Sequence, residues 1–403
     1  MAMRPDHVPA ERVVHFDIYD VPGASEDIQL AYRAFQQNNP DIFWTPANGG
    51  HWVATRADDI ETIQRDHERF SHRRITIPPM PPEYPRQIPL EVDPPEHSAY
   101  RRPLTRALLP RVVNALEAKV TDMAIQLVEE LKPRGECEFI EDFAKILPIA
   151  VFLDLVDLPR ADRTVLLPLA EDAVRGTSVD ARHRAHAGIA AYLMPWIEAR
   201  RATPGDDLLS QIVNADINGE RISQAEAIAF ASLVLFGGLD TVASSLGFIA
   251  NFLARNPEHR WQLRERLDDN SFMQGAIEEL LRRHGVANTA RVVTRDMEFK
   301  GVQLRAGDMI LPPNLLYGLD ERKVEDPLRV DFTRPFPVPH ATFGNGPHTC
   351  PGAVLARREI KAFLTEWLRR IPDFEIKPGT KPRLATGMVN GVLSLELSWP
   401  VHV

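Results

Sequence analysis

One cysteine sits where a thiolate would be stabilised. The segment Phe343-Gly-Asn-Gly-Pro-His-Thr-Cys350-Pro-Gly352 is a glycine-rich turn that delivers Cys350 just ahead of Ala353–Leu368, a stretch with helical apolar spacing. Free N–H groups and the positive end of a helix dipole lower a thiol's pKa, so this position favours the anionic sulfur that ligates metals. Gly346 can take a positive φ, and Gly352 removes side-chain bulk near the sulfur. His348, two residues ahead of the cysteine, is able to bond an anionic group of a ligand. The alternative for Cys350 is a buried free cysteine beside a turn.

A second constellation is Leu235-Phe-Gly237-Gly238-Leu-Asp240-Thr241. Two glycines inside a helix cost about 1 kcal/mol each relative to alanine, so a local loosening or a close ligand approach is expected there. Gly237 and Thr241 are four apart and share a face. A carboxylate next to a hydroxyl at such a turn suits proton delivery, whereas glycines for helix packing and a threonine bonded back to its own helix would be the structural alternative. Third, Glu279-Leu-Leu-Arg282 puts a carboxylate and a guanidinium one helical turn apart.

The elements that must position these residues are mostly helical. Leu116–Leu131, Ala181–Ala202 and Asp268–Arg283 show three- and four-residue apolar spacing. Ser223 with Glu226 forms a capping-box pattern, predicting a long helix to Arg255, where Asn256-Pro257 stops it. Strand-like alternation marks His51–Thr55, Met297–Ile310 and Leu384–Trp399. Proline-rich Ile77–Glu96 and Pro327–Pro351 should be loops. The expected architecture is mainly α with small β-sheets at its edges, in one domain spanning 1–403.

Of the 403 residues, 44% are hydrophobic and 26% charged, which suits a folded globular protein. A net charge of −9 disfavours a general nucleic-acid binder. Two cysteines, no apolar leader pattern and no continuous apolar run of about 18 residues point to a soluble chain in a reducing cytoplasm, with no membrane partner.

Phe343, Gly346, Cys350 and Gly352 spell Phe-x-x-Gly-x-x-x-Cys-x-Gly, which resembles the haem-binding loop of the cytochrome P-450 superfamily. The resemblance implies that family's fold, with haem b (iron protoporphyrin IX) between the long central helix and the cysteine loop and helix. It makes Cys350 the axial thiolate, which pushes electron density toward O–O cleavage. It makes Asp240 and Thr241 the family's acid–alcohol pair, with Asp240 the proton relay. Glu279 and Arg282 match its Glu-x-x-Arg motif, a structural brace with Arg334 as a third member. Local patterns suggest Arg101, Arg291 and His348 as partners of the haem carboxylates.

The likeness covers nearly the whole chain and is greatest to soluble bacterial camphor 5-monooxygenases, on GGHWVATR, DPPE, GGLDTV, EELLRR, GLDER and LARREI. It implies O2 as co-substrate and electrons from a [2Fe–2S] ferredoxin served by an NADH-dependent reductase. Arg73, Arg74, Arg101, Arg102, Arg106, Arg357 and Arg358 would offer an acidic ferredoxin a basic face. The carried-over substrate positions are Thr76, Pro85, Gln87, Leu90, Leu233, Phe236, Gly237, Ala287, Met388 and Val389. Camphor hydroxylases hold the ketone with a tyrosine where this chain has Pro85; Tyr84 is adjacent but out of phase. The expectation is therefore a hydroxylase of another small apolar terpenoid, or of a norisoprenoid ketone such as an ionone, with Gln87 as polar contact. Camphor, a peroxide-driven haem enzyme and a non-enzymatic haem sensor are the alternatives.

Overall fold

A computed structural model describes residues 2–81, 84, 86–175 and 179–401. In chain order the helices are α1 (Ile28–Asn38), α2 (Ala57–Arg65), α3 (His97–Ala107), α4 (Pro110–Leu131), α5 (Ile146–Leu155), α6 (Arg163–Arg175), α7 (Val179–Ala202), α8 (Leu208–Val213), α9 (Gln224–Arg255), α10 (Pro257–Arg264), α11 (Asn270–Arg283), α12 (Asn314–Leu319) and α13 (Ala353–Arg370). The chain forms two compact units, each assembled from three separate stretches. The first holds Met1–Tyr84, Gly247–Cys350 and Pro378–Leu395; the second holds Pro85–Leu246, Pro351–Lys377 and Glu396–Val403.

The first unit is built on a five-stranded sheet. Its strands run in the order Ile42–Thr45, His51–Ala54, Met309–Leu311, Arg291–Val293, Phe70–Ser71. His51–Ala54 pairs antiparallel with its neighbour in sequence and parallel with Met309–Leu311. Trp44, Trp52, Phe70, Phe299 and Ile310 pack together on it. The alternation read over Met297–Ile310 divides into a hairpin, Met297–Phe299 with Val302–Leu304, and a separate sheet strand. Lys300 (φ 50°) and Gly301 (φ 79°) make the hairpin turn, the two-positive-φ geometry whose twist matches paired strands. Helix α11 starts at Asn270 rather than Asp268 because the Asp269 carboxylate caps it, accepting from the Phe272 N–H.

The second unit is helical. Ser223 and Glu226 close the capping box at the start of α9 in both directions, at 3.0 and 3.2 Å. Phe230, Leu235 and Leu239 of α9 join Leu153, Leu193 and Ile212 in one core. By length and composition alone α9 is apolar enough to cross a membrane, a signature it shares with buried core helices. Helix α4 begins at Pro110, where proline's missing N–H costs nothing, and packs along α13. Phe139, Phe143, Phe363 and Trp367 form an aromatic cluster, with centroids 5.1–5.9 Å apart. The alternation read over Leu384–Trp399 is shared out: Arg383–Ala385 and Gly391–Ser394 pair in the first unit, and Glu396–Ser398 pairs with Glu136–Glu138 and Glu375–Ile376 in the second.

Within α13, Glu359 is 3% exposed and its Oε2 has no hydrogen-bond partner. Burial pushes its carboxyl from 4.5 up to about 8. Above about pH 4.5 the unfolded chain sheds this proton while the folded chain keeps it, so stability falls as pH rises toward 8. Glu359→Gln should therefore raise the melting temperature by about 5 °C at pH 8, with the gain fading toward pH 4.5. A pH-independent gain in thermal melts would refute this.

Candidate active site

In the first unit, the cysteine loop is keyed to the end of α2. The Cys350 N–H donates to the Phe343 carbonyl at 2.8 Å, closing the turn. Gly346 has φ 74°, and a Cβ there would lie 2.8 Å from Arg65 Cα and 2.9 Å from the Gln64 carbonyl oxygen. Glycine is thus required twice, by conformation and by the close approach. Asn345 Nδ2 donates to Gln64 Oε1 at 2.8 Å, and Gln64 Nε2 donates to Asn314 Oδ1 at 2.7 Å. Cys350 itself is half-buried and in no disulfide. Gly352 takes an ordinary negative φ of −81°, so its backbone does not demand glycine.

Helix α11 braces the segment leading into that loop. Arg282 and Glu279 form a two-pronged ion pair at 2.7 and 2.8 Å with no side-chain exposure. Arg282 also donates to the carbonyls of Gly318, Pro327 and Arg329 at 2.7–3.0 Å. Glu279 takes a third charge-assisted bond from Arg334 Nε at 3.0 Å and one from the Asp331 N–H at 2.9 Å. Thr342 Oγ1 donates to the Leu281 carbonyl at 2.7 Å, and the His340 ring meets Glu278 at 2.8 Å. The C-terminal turns of α11 therefore grip the chain on its way to Cys350.

The sheet gathers cationic side chains. Arg291 is 3% exposed, and its Nη1 donates to Ala290 O, Thr289 O and Thr289 Oγ1. Antiparallel pairing of Phe70 with Val293 and Ser71 with Val292 brings the chain at His72 alongside the start of the Arg291 strand. The His72 ring stacks on His348 at 3.4 Å and 15°. Both rings are buried. His72 escaped the sequence reading; its only signal was its place next to the Arg73-Arg74 pair.

Four expected substrate positions also meet in this unit. Ala287 bridges Val389, and the Asn288 N–H donates to the Met388 carbonyl at 2.8 Å. Met388 Sδ accepts from the Ile77 N–H, next to Thr76, at 3.4 Å.

In the second unit, α9 runs unbroken through Gly237 and Gly238, so the expected loosening is absent. Thr241 Oγ1 donates to the Gly237 carbonyl at 2.7 Å, and Ser245 Oγ donates to the Thr241 carbonyl at 2.8 Å. The structural alternative for Thr241 is thus real. It does not use up the hydroxyl, whose lone pairs remain able to accept. Nothing lies within 4 Å of a Cβ built at Gly237 or Gly238. Leu233, Gly237 and Thr241, spaced by four, line this open face, with half-buried Phe236 and Asp240 beside it. Gln87 and Leu90 are half-buried, and the Gln87 N–H donates to Glu91 Oε2. Pro85 lies outside the described residues. Arg101, on α3, is half-buried; Arg102 and Arg106 are exposed. Arg358 meets Glu117 at 3.3 Å, which offsets part of the expected basic face.

Comparison with known proteins agrees with this geometry. Residues 165–398 match the Cytochrome P450 family model. The chain is 36% identical to the probable cytochrome P450 127A1 of Sinorhizobium fredii, over 98% of this chain and 96% of that one. It is 33% identical to the steroid C26-monooxygenase of Mycobacterium tuberculosis, over 93% and 94%. The crystal structure of CYP101J2 superposes with a TM-score of 0.90 at 41% identity, covering both chains fully. The family's cofactor is haem b, and the residues present fit it. The first unit supplies a thiol free of any disulfide and two buried groups, Arg291 and His348, suited to carboxylates. A soft sulfur donor, a buried guanidinium and a buried imidazole suit an iron porphyrin with two propionates. The chain belongs to the cytochrome P450 family and is a haem b-dependent monooxygenase.

Proposed function

We propose that the chain is a ferredoxin-dependent hydroxylase of a small apolar terpenoid or norisoprenoid ketone, acting as one cytoplasmic haem domain over residues 1–403. The observation that carries this reading is the open face of α9, where apolar Leu233 and Phe236, two bare glycines and the Thr241 hydroxyl adjoin. Such a face suits an apolar substrate next to proton chemistry. Bound haem supplies the oxidising power. Cys350 holds it by sulfur, Arg101 and Arg291 neutralise its carboxylates, and the His348 and His72 imidazoles supply hydrogen-bonding groups for them.

Asp240 exchanges protons with water. Thr241 Oγ1, already donating to Gly237 O, accepts from the proton carrier and fixes where that proton goes. Thr76, Gln87, Leu90, Leu233, Phe236, Ala287, Met388 and Val389 hold the substrate; Gln87 gives the polar contact in place of the tyrosine that Pro85 replaces. An acidic [2Fe–2S] ferredoxin, reduced by an NADH-dependent reductase, docks on the arginines of α3 and α13.

Thr241→Ala should leave NADH consumption running but cut the share of electrons reaching product by roughly tenfold to a hundredfold, released instead as hydrogen peroxide. Coupling equal to the parent's, measured as product per NADH, removes Thr241 from the mechanism. A spin-state titration with camphor, a monoterpene alcohol, β-ionone and a sterol tests the substrate class. Strongest response to β-ionone is expected; an equal or stronger camphor or sterol response overturns it. Turnover that needs only peroxide, or none under any donor, would favour the peroxide-driven or sensor alternatives.

A further inference from the structure

We infer that Tyr19 is a positioning residue for substrate selection, a latch that fixes the segment Ile75–Met80 through the Ile77 carbonyl. This segment cannot fix itself. Pro78 and Pro79 have no N–H, so no regular ladder can form along it. Its backbone must instead be tied by groups from elsewhere in the first unit.

Three such ties exist. The Ile75 carbonyl accepts from the Ala290 N–H at 2.8 Å. The Ile77 N–H goes to Met388 Sδ at 3.4 Å, a weak acceptor. The Ile77 carbonyl accepts from the Tyr19 hydroxyl at 2.7 Å. Downstream, Thr76 Oγ1 accepts from the Met80 N–H at 3.1 Å, so the Thr76 side chain turns with the segment.

Tyr19 is itself held. Its N–H donates to Asp17 Oδ1 at 2.9 Å, and the same oxygen accepts from Asn48 Nδ2 at 2.8 Å. Its ring lies close to the chain at Gly387, where an added Cβ would lie 3.1 Å from two ring carbons. Gly387 immediately precedes Met388, so one aromatic ring touches the turn that carries Met388 while its hydroxyl holds the residue after Thr76. Ile77 is 1% exposed although Tyr19 is 48% exposed, so losing the hydroxyl would leave a buried carbonyl without this donor. The inference rests on the proposed substrate roles of Thr76 and Met388.

The test compares Tyr19→Phe, which keeps the ring and loses the hydroxyl, with the parent holoenzyme. Amide hydrogen exchange at Thr76, Ile77 and Met80 should quicken about threefold to tenfold, the loss of one hydrogen bond, and the spectral Kd of bulky 4-phenylimidazole should change by a similar factor while that of imidazole moves less than about twofold. Unchanged exchange refutes the latch. Faster exchange with both ligands affected equally refutes its role in selection. Neither ligand is a terpenoid, so a failed substrate assignment leaves the exchange result and the latch standing, and a failed latch leaves the substrate reading untouched.

Discussion

On the proposed ligation, Cys350→Ser should yield a folded protein that forms no product with ferredoxin, reductase and NADH, and whose ferrous carbonyl complex lacks the thiolate-ligated absorption. Folding survives because the bond that closes the turn runs from the Cys350 backbone N–H to the Phe343 carbonyl, and serine keeps it. Chemistry does not survive, because an alcohol oxygen is a far weaker base and a harder donor than a thiolate. The electron donation that a thiolate would supply to the bound haem would be lost with the sulfur. The chain's other cysteine is the control. Cys137 is buried in the strand Glu136–Glu138, and burial pushes its thiol well up, so it stays protonated. Cys137→Ser should leave the spectrum unaltered. A fully active Cys350→Ser protein, or one with the parent's carbonyl spectrum, would remove Cys350 from the iron.

Arg282→Ala should cost about 3–5 kcal/mol of stability and release haem under conditions where the parent retains it. The guanidinium has no exposure and satisfies five acceptors, two on Glu279 and three backbone carbonyls. Alanine leaves those carbonyls without donors in a space too dry for water to replace them cheaply. Glu279 keeps Arg334 and the Asp331 N–H but loses its closest cation. Lysine offers one point charge instead of a planar fork, so Arg282→Lys should recover only part of the loss. Denaturant melts followed by both helix signal and haem absorbance read this directly. A cost under about 1 kcal/mol for alanine would mean that α11 does not brace the cysteine loop.

Local spacing made the chemistry of this chain readable before any fold was known. The turn before Cys350, the capping box of α9 and the Glu279-x-x-Arg282 repeat each lie within a few residues, the range over which backbone geometry is set by neighbours. The long helices were legible for the same reason, with errors of a few residues where a cap or an N-terminal proline decided the start, whereas the shorter α1, α2 and α12 were not read. What spacing cannot encode is which distant segments meet. The central sheet pairs His51–Ala54 with Met309–Leu311 and Phe70–Ser71 with Arg291–Val293, and the second pairing carries His72 toward Arg291. His72, Tyr19 and the need for glycine at Gly346 against α2 were invisible in sequence, because each depends on a partner tens to hundreds of residues away. The glycine pair in α9 left two readings open, a local loosening or a close ligand approach; the helix stays regular because intrahelical bonds outweigh glycine's entropy cost, and the missing side chains open space. The sequence determined which groups are chemically able; the tertiary structure decided which of them stand together, because long-range pairing is selected by the burial of the whole chain and not by any local pattern.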